Sequence, residues 1–589
     1  MKCQVRILVA MTLLGVLAGC GEAPAKKEAE AAAADIGWFQ NVRLIPGDGS
    51  PAIQDAFVTV ENGKIVKIGS KAEVPAPKGA NRVDLAGQTI MPVLVNLHGH
   101  VGLIKAGNFS TENYSRESVL NDVYRYGYYG VESIASLGTD TDVAFSVRDE
   151  QRAGKLGGAQ LYTAGRGITA KGGWPTPIMK GLPIEVGSEA EARKAVNDMA
   201  AKKVDLIKIW VDDNMGALPK LSPALSAAII DEAHKKNLKV VAHVFYLADA
   251  KDLVKAGVDG LMHSIRDREV DDDLISQMKA KNVIYTPTLT AHESKFVYVD
   301  KPSWLGEQSM REVFPAQLSA FTASDVFLGK MRRDPNLPKF REQYAMAQKN
   351  LKKMAAAGVK IGLGTDSGAA NTFTGYFEHR ELELMEAAGM APADIIKAAT
   401  ATSSEFLGIK DGGVLAPGKN ANFLVLTANP LDKARNSREI FTIYMNGHEI
   451  DRAAMLRNIT TEVPKITDAD RKNEAVAAAD FARNEADKKL PHFGDFPAAD
   501  ATIRVRGMAI PMPKYSKETH KVGPPDVITI SLDKATGGQL AAFYKDILPK
   551  RGWAAAGACF ERKGVVSPKM QSLCLAPGGG DITLNITEK

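Results

Sequence analysis

The stretch VNLHGH, from Val95 to His100, closes an apolar run, TIMPVLV from Thr89 to Val95, that is typical of a buried β-strand. Alternate side chains of an extended strand share a face, so His98 and His100 point the same way and could bind one metal ion. Two histidines alone fit equally well as ligands and as hydrogen-bonded polar residues at a strand end. The rest of the chain has to decide between these interpretations.

The region after this motif alternates strand-like runs with amphipathic helical stretches, which is typical of parallel strands joined by helical crossovers. The eight candidate strands are Thr89–Val95, Val131–Leu137, Gln160–Ala164, Asp205–Val211, Lys239–Val244, Asp259–His263, Asn282–Thr286 and Val359–Asp366. Eight such units predict an α/β fold with a (β/α)8 TIM barrel over residues 91–409. Barrels of this type place their chemistry at the C-terminal ends of the strands.

Short strand-like runs with turn signals lie on both sides of the barrel region. They predict one small, β-sandwich-like flanking domain built from residues 36–90 and 410–455. A helical connector is predicted over residues 456–499 and a small α+β domain over residues 500–589. The long segment from His292 to Leu351, after the seventh candidate strand, predicts a lid or a substrate-shaping insertion.

The N-terminus has the features of an export signal. Lys2 and Arg6 precede the apolar run ILVAMTLLGVL, which is too short for a comfortable membrane span. The run ends in LAGC, which resembles a bacterial lipoprotein box. We therefore expect a signal peptide over residues 1–19, lipidation of Cys20 and a low-complexity tether over residues 20–35. The alternative is an ordinary signal peptide with a coincidental cysteine. Gly21 favours the outer membrane, facing the periplasm.

Composition narrows the partners and the redox state. The formal net charge of +5 is small for 589 residues, and no basic stripe is interleaved with aromatic residues, so nucleic acid is not an expected partner. If Cys3 leaves with the signal and Cys20 is lipidated, Cys559 and Cys574 remain. An exported chain favours a disulfide between them, and a thiolate metal site is the alternative.

Candidate ligands stand in or at the ends of the predicted barrel strands. These residues are His98, His100, Lys208, His243, His263 and Asp366. The predicted barrel brings them to one rim. Imidazole nitrogens and a carboxylate oxygen are ligands that Zn²⁺ or a similar divalent ion favours.

On these residues the sequence resembles the amidohydrolase superfamily, and within it the imidazolonepropionase-like and prolidase-like branch. The matching pieces are His98-Gly99-His100, Lys208 in DLIKI, His243 in VVAH, His263 in GVDGLMHS, Asp366 in GTDS, ATATSSEFLG from Ala399 and GVLAPGKNANFLVL from Gly413. The resemblance covers about residues 36–455 and does not extend to the predicted C-terminal domain.

The resemblance implies a carboxylated Lys208 that bridges two metals. One metal would be held by His98, His100 and Asp366, and the other by His243 and His263. Apolar neighbours make the lysine hard to keep charged, and its neutral amine is the form that captures CO₂. A lysine in a salt bridge inside the barrel, with a single metal, is the alternative.

The implied reaction is hydrolysis of an amide bond by a metal-activated hydroxide. Asp366 would act as general base and then general acid. The expected substrate is a small-molecule amide, a dipeptide or an N-acyl amino acid. Arg166 and His292 are candidate substrate-binding residues, although a loop arginine or a loop-stabilising histidine is the common case.

One residue departs from the pattern of the superfamily, which often has an acidic residue where Asn96 stands. We expect weaker orientation of the first histidine pair as a result. Two other functions stay open. One is a mononuclear hydrolase of cyclic amides, amines or esters, including organophosphates, and the other is a non-catalytic lipoprotein that binds at the surface. The oligomeric state is not predicted.

Overall fold

The structure is a computed structural model that describes residues 36–70, 75–314, 322, 324–459 and 467–487, and within the C-terminal part residues 499–505, 508–513, 517–521, 526–531, 537–550, 553–557, 559–563, 570–577 and 581–588. The predicted signal peptide and the whole predicted tether, with Cys20, lie outside the described residues. No helix of the described part is both long enough and apolar enough to cross a membrane.

An eight-stranded sheet joins two segments that are far apart in the sequence. Its strands are Ile36–Leu44, Ile53–Glu61, Lys64–Ser70, Asn81–Asp84, Thr89–Pro92, Phe423–Leu426, Ile440–Met445 and His448–Glu449. The two segments meet where Phe423–Leu426 pairs antiparallel with Thr89–Pro92. Phe39, Phe423 and Tyr444 pack together in the apolar core of this sheet.

Parallel strands form the barrel. The regular strands are Leu94–Gly99, Val131–Ser136, Gln160–Thr163, Ile207–Val211, Val240–Val244, Gly260–Met262 and Ile284–Thr286. Additional short strands are Ile104–Lys105, Asn108–Phe109, Ile168–Ala170 and Ile184–Val186. The barrel strands are largely buried, which explains their continuous apolar runs.

The first predicted strand, Thr89–Val95, is wrong in its bounds. Its first half, Thr89–Pro92, belongs to the flanking sheet, and the barrel strand is Leu94–Gly99. Both halves are buried, so the apolar pattern carries no sign of the change from one sheet to the other. His98 therefore lies within the barrel strand and His100 just after it.

The eighth predicted strand, Val359–Asp366, is not a regular strand but still closes the barrel. On one side Tyr285 N donates to Lys360 O over 2.9 Å, and on the other Leu97 N donates to Leu363 O over 2.8 Å. The segment thus joins the last regular strand to the first. Its end, with Asp366, lies beside the histidine motif.

Helices cover the outside of the barrel. The crossover helices and the helix that follows the last segment are Arg116–Tyr128, Asp142–Arg152, Glu189–Ala201, Pro223–Lys235, Leu247–Ala256, Asp272–Ala280, Leu337–Ala356 and Tyr376–Ala387. Five of them begin after a Ser, Thr or Asp whose side chain accepts a backbone N–H, namely Ser115, Thr141, Ser188, Ser222 and Asp271. The remaining helices up to residue 487 are Thr111–Asn113, Leu289–Glu293, Val297–Asp300, Ser303–Gly306, Gln308–Val313, Asp325–Arg332, Pro392–Lys397, Ala398–Thr402, Ser403–Leu407, Ala434–Arg438, Arg452–Asn458 and Asp468–Asp487.

The described residues of the predicted insertion from His292 to Leu351 are largely helical, and they carry half of an aromatic cluster. We use this name for Tyr298, Trp304, Phe314, Phe373, Tyr376 and Phe377. The cluster ties the insertion to Tyr376–Ala387, the helix after the eighth segment.

The C-terminal part is a small α+β unit. Its helix is Gly537–Lys550, and its strands are Ala499–Val505, Met508–Pro513, Lys517–Lys521, Asp526–Ser531, Ala554–Ala556, Cys559–Lys563, Met570–Pro577 and Asp581–Glu588. Cys559 and Cys574 pair across neighbouring strands and form a disulfide.

Candidate metal centre

The structure brings all six predicted ligands together at the C-terminal end of the barrel strands. Five of them are buried, and Asp366 keeps 19% of its side chain exposed. His98, Lys208 and His243 lie in their strands, His263 follows directly after its strand, and Asp366 ends the eighth segment.

A first cluster consists of His98, His100 and Asp366, whose ligand atoms lie within 4.8 Å of one another. Oδ1 of Asp366 is 2.8 Å from Nε2 of His100 and 3.2 Å from Nε2 of His98. Burial opposes ionisation of Asp366, but the neighbouring His98, His100 and His263 outweigh it and hold its pKa well below the usual value. The carboxylate is therefore ionised at neutral pH.

A second cluster lies against the first. The rings of His243 and His263 are 4.1 Å apart between centroids, and the ring of His263 is 4.7 Å from that of His98. Burial, together with the charge of Lys208, lowers the pKa of His98 to about 3, so its imidazole is neutral at pH 7. Neutral imidazole is the form that binds metal.

Polar partners fix the orientation of three of the rings. His100 Nδ1 is 2.8 Å from Thr139 Oγ1, and His263 Nδ1 is 2.7 Å from Thr288 Oγ1. His243 Nε2 is 2.7 Å from Asp212 Oδ2. Each contact occupies one ring nitrogen and leaves the other available as a ligand, the usual arrangement around protein-bound metals.

Lys208 lies between the two clusters, with Nζ 3.3 Å from Nε2 of His98. Burial lowers the pKa of Lys208 to about 7, although the charge of Asp366 acts in the opposite direction. The ammonium form is therefore poorly stabilised at this position.

Two of the predicted ligands have strained backbones. His263 and Asp366 have φ angles of 73° and 59°, in the left-handed region that residues other than glycine rarely adopt. Non-glycine residues in this conformation cluster at functional sites.

One helix supports both clusters, and sequence reasoning missed it. We call Tyr376–Ala387 the supporting helix. Its Glu378 accepts hydrogen bonds at Oε1 from Asn96 Nδ2 over 2.6 Å and from Ser367 Oγ over 2.6 Å. The same Asn96 accepts from the backbone N of His98 over 2.9 Å. Glu378 thus connects the first barrel strand with the segment that carries Asp366.

Glu381, one turn further along the supporting helix, holds the other side of the site. Its carboxylate accepts from Leu289 N and Thr290 N, both over 2.7 Å, next to the Thr288 that orients His263. Burial raises the pKa of Glu381 to about 7. Glutamates in a helical pattern are normally solvent-exposed, so only the spacing of Glu378 and Glu381 on one face could have indicated their role.

A cavity of about 270 Å³ opens above the clusters. Its polar wall includes His292, Arg266 and Lys295, and its apolar wall includes Trp174 and Ile178. His292, a predicted substrate-binding residue, is buried in this wall, where the Ser264 backbone N lies 3.5 Å from its Nε2.

Arg166, the other predicted substrate-binding residue, does not line this cavity. Its guanidinium donates to the backbone oxygens of Leu182 over 2.6 Å and Gly181 over 3.0 Å. These bonds fasten the loop that carries Trp174, so the geometry gives Arg166 a structural contact and no contact with the clusters.

Comparisons with known proteins agree with this arrangement. The Amidohydrolase family matches residues 89–450. Ochratoxinase of Aspergillus niger is 26% identical over 443 residues, which cover 67% of this chain and 82% of the relative. Imidazolonepropionase of Paraburkholderia phymatum is 42% identical over 65 residues, 11% of this chain and 16% of the relative.

Among solved structures, a Xaa-Pro dipeptidase with bound methionine in its active site superposes with a TM-score of 0.57. The two are 22% identical, and the match covers 70% of this chain and 99% of the dipeptidase. The TIM-barrel type of fold predicted from the sequence is thereby confirmed. The chain therefore belongs to the amidohydrolase family, whose motifs its sequence carries, and it shares the fold of the prolidase-like members.

Proposed function

We propose that this protein is a metal-dependent hydrolase that cleaves an amide bond in a dipeptide or an N-acyl amino acid. The observation that carries the proposal is the convergence of four imidazoles, one carboxylate and one buried amine beneath a single cavity. Membership of the amidohydrolase family supports hydrolysis. The Xaa-Pro dipeptidase among the structural neighbours supports a peptide-like amide.

The side chains fit one or two divalent cations, and Zn²⁺ suits this set of nitrogen and oxygen donors best. His98, His100 and Asp366 would hold one ion, and His243 and His263 the other. Lys208 would bridge the two as a carbamate, since its pKa of about 7 leaves much of the amine uncharged and able to capture CO₂.

When bound, the cations would lower the pKa of a water molecule and polarise the substrate carbonyl. Asp366 performs the proton transfers. Its ionised carboxylate lines the cavity and accepts a proton from the attacking water. It then delivers this proton to the amide nitrogen as the carbon–nitrogen bond breaks.

The first experiment is metal analysis of the purified protein, followed by a screen of dipeptides and N-acyl amino acids with the metal-replete enzyme. We expect two ions per chain and carboxylation of Lys208 detectable by mass. One ion per chain and an unmodified Lys208 would favour the mononuclear hydrolase of cyclic amides, amines or esters instead.

Asp366→Asn tests the proton transfers, with metal content measured in parallel because Asp366 would also hold one of the ions. We expect turnover to fall by about 10²- to 10⁴-fold, the usual contribution of general acid–base catalysis, while the variant still binds substrate. Asp198→Asn is a matched control, because Asp198 is an exposed carboxylate paired with Lys194 on an outer helix. Unchanged turnover in Asp366→Asn, or a whole panel left intact by metal-replete protein, would contradict the proposal and favour a binding function.

A further inference from the structure

The cavity wall offers more positive than negative charge to a ligand. Arg266 and Lys295 both line it, and Asp366 is the one carboxylate among its described lining residues. Bound cations would add to this excess. A substrate with an anionic group fits this wall better than a neutral one.

Arg266 is held rigidly in that wall. Its Nη1 donates to the backbone oxygens of Ser264 over 2.8 Å and Val244 over 3.2 Å, and its guanidinium stacks on the ring of Phe245 at 4.4 Å. Only 6% of the residue is exposed. These contacts fix the position of the charge without neutralising it.

The other edge of the guanidinium makes no hydrogen bond through Nε. Within the described part of the chain, Nε is buried with no hydrogen-bond partner. Asp212 Oδ2 lies 4.0 Å from Nη2, which is beyond hydrogen-bond distance. Nε and Nη2 form the fork that binds a carboxylate through two parallel hydrogen bonds. Since Asp212 also contacts His243, this fork lies next to the second cluster of ligands.

Another part of the cavity lining is apolar. Trp174 and Met179 line it, and Ile178 is unusually exposed for a large aliphatic residue, at 51%. An exposed apolar side chain at the mouth of a cavity is suited to an apolar group of a ligand.

We propose that Arg266 binds a carboxylate of the substrate, so that the cleaved amide carries an anionic group on the Arg266 side and an apolar group towards Trp174 and Ile178. This inference rests on the proposed amide hydrolysis and names the substrate class for the same site. Arg266 is a specificity-determining residue in this scheme.

The test compares N-benzoyl-leucine with N-benzoyl-leucinol, which has the same amide bond and no charge. We expect metal-replete wild-type protein to prefer the acid in kcat/KM by about 10- to 100-fold, the range for a hydrogen-bonded charged group. Arg266→Met should bring this ratio close to one, mainly by loss of activity on the acid. Arg268→Met is the matched control. The Arg268 side chain is 72% exposed, and this substitution removes the same charge two residues away from Arg266.

Equilibrium binding separates this inference from the proposed function. Calorimetry with 3-phenylpropanoate and 3-phenylpropanol needs no cleavage and should show the same preference, lost in Arg266→Met and kept in Arg268→Met. If Arg266→Met does not fold, Arg266→Lys keeps the charge without the fork and should still weaken the preference. Equal binding of acid and alcohol by the wild type, or an intact preference in the folded Arg266 variant, would overturn the inference even if amides are cleaved.

Discussion

Asn96 shows how a single neutral side chain decides the arrangement of the site. It lies between the backbone of His98 and the carboxylate of Glu378. Its Nδ2 donates to Glu378 Oε1, and its Oδ1 accepts from the backbone N of His98. Burial raises the pKa of Glu378 above its ordinary value. The acidic partner of the first barrel strand is therefore present, but it is supplied by the supporting helix, where only its spacing from Glu381 could have indicated it.

Asn96→Asp is expected to destabilise the protein at neutral pH. The change puts a second carboxyl group in place of the amide that now lies 2.6 Å from Glu378, and two buried carboxylates at that distance cannot both ionise. We expect the free energy of unfolding near pH 7 to fall by about 1–3 kcal/mol, measured by denaturant titration.

The pH dependence of this loss has a definite sign. In the folded variant the carboxyl pair keeps a proton, whereas the unfolded chain releases it above the ordinary glutamate pKa of 4.5. The loss of unfolding free energy should therefore grow as the pH rises from that value. The double variant N96D/E378Q exchanges the amide and the carboxyl and should recover most of the stability. A loss that does not change with pH, or no recovery in the double variant, would show that the pair does not act in this way.

At the scale of elements, the sequence located the barrel strands better than their boundaries. The candidate strands Lys239–Val244 and Asp259–His263 coincide closely with the observed strands, because a buried parallel strand is a short apolar run. The division of Thr89–Val95 between two sheets could not be predicted, since both halves are equally apolar. Residue type and spacing were enough to predict the candidate ligands that the structure brings together. The positions of Arg266, Glu378 and Glu381 depend on contacts between elements far apart in the chain.

Trp304→Ala tests whether the insertion shapes the cavity. Trp304 is buried in the aromatic cluster, with its ring 5.5 Å from Tyr376 and 5.8 Å from Phe377 of the supporting helix. We expect an unfolding free energy lower by about 3–5 kcal/mol and a raised KM, because the same insertion carries His292 and Lys295 into the cavity wall.

Trp38→Ala is the matched control for this element. Trp38 is also buried, stacked on Phe57 at 4.6 Å in the flanking sheet. It should lower stability without a change in KM, measured on the same substrate. Equal KM values in the two variants would mean that the insertion packs on the barrel without shaping the site.

At the scale of the whole molecule, the barrel and the C-terminal unit have separate apolar cores. Among the described residues, the core clusters of the barrel and flanking sheet include none beyond Ile459. In the C-terminal unit, Phe543 and Tyr544 of the helix are buried, as are Leu573 and Leu584 of its sheet. Membrane anchoring through Cys20 stays a prediction, since that residue lies outside the described part.

The helix Asp468–Asp487 belongs energetically to the barrel side. Glu474 is buried and forms a bidentate ion pair with Arg333 of the insertion, at 2.5 and 2.8 Å. Removing one partner of a fully buried ion pair costs about 3–5 kcal/mol, and the cost here is smaller because Arg333 keeps 17% of its side chain exposed. The boundary between the barrel part and the C-terminal unit, as far as stability is concerned, therefore lies after the helix Asp468–Asp487.

Two truncations test this boundary. A chain that ends after Asp487 keeps the Arg333–Glu474 pair and the core clusters of the barrel and the flanking sheet, so we expect metal content and amide hydrolysis to stay within about twofold of the full chain. A chain that ends after Ile459 lacks Glu474 and should unfold at a clearly lower temperature, measured by calorimetry. Arg333→Met in the longer truncation leaves Glu474 without its partner and should reproduce part of that loss. If the longer truncation also loses its metal, the C-terminal unit takes part in forming the site.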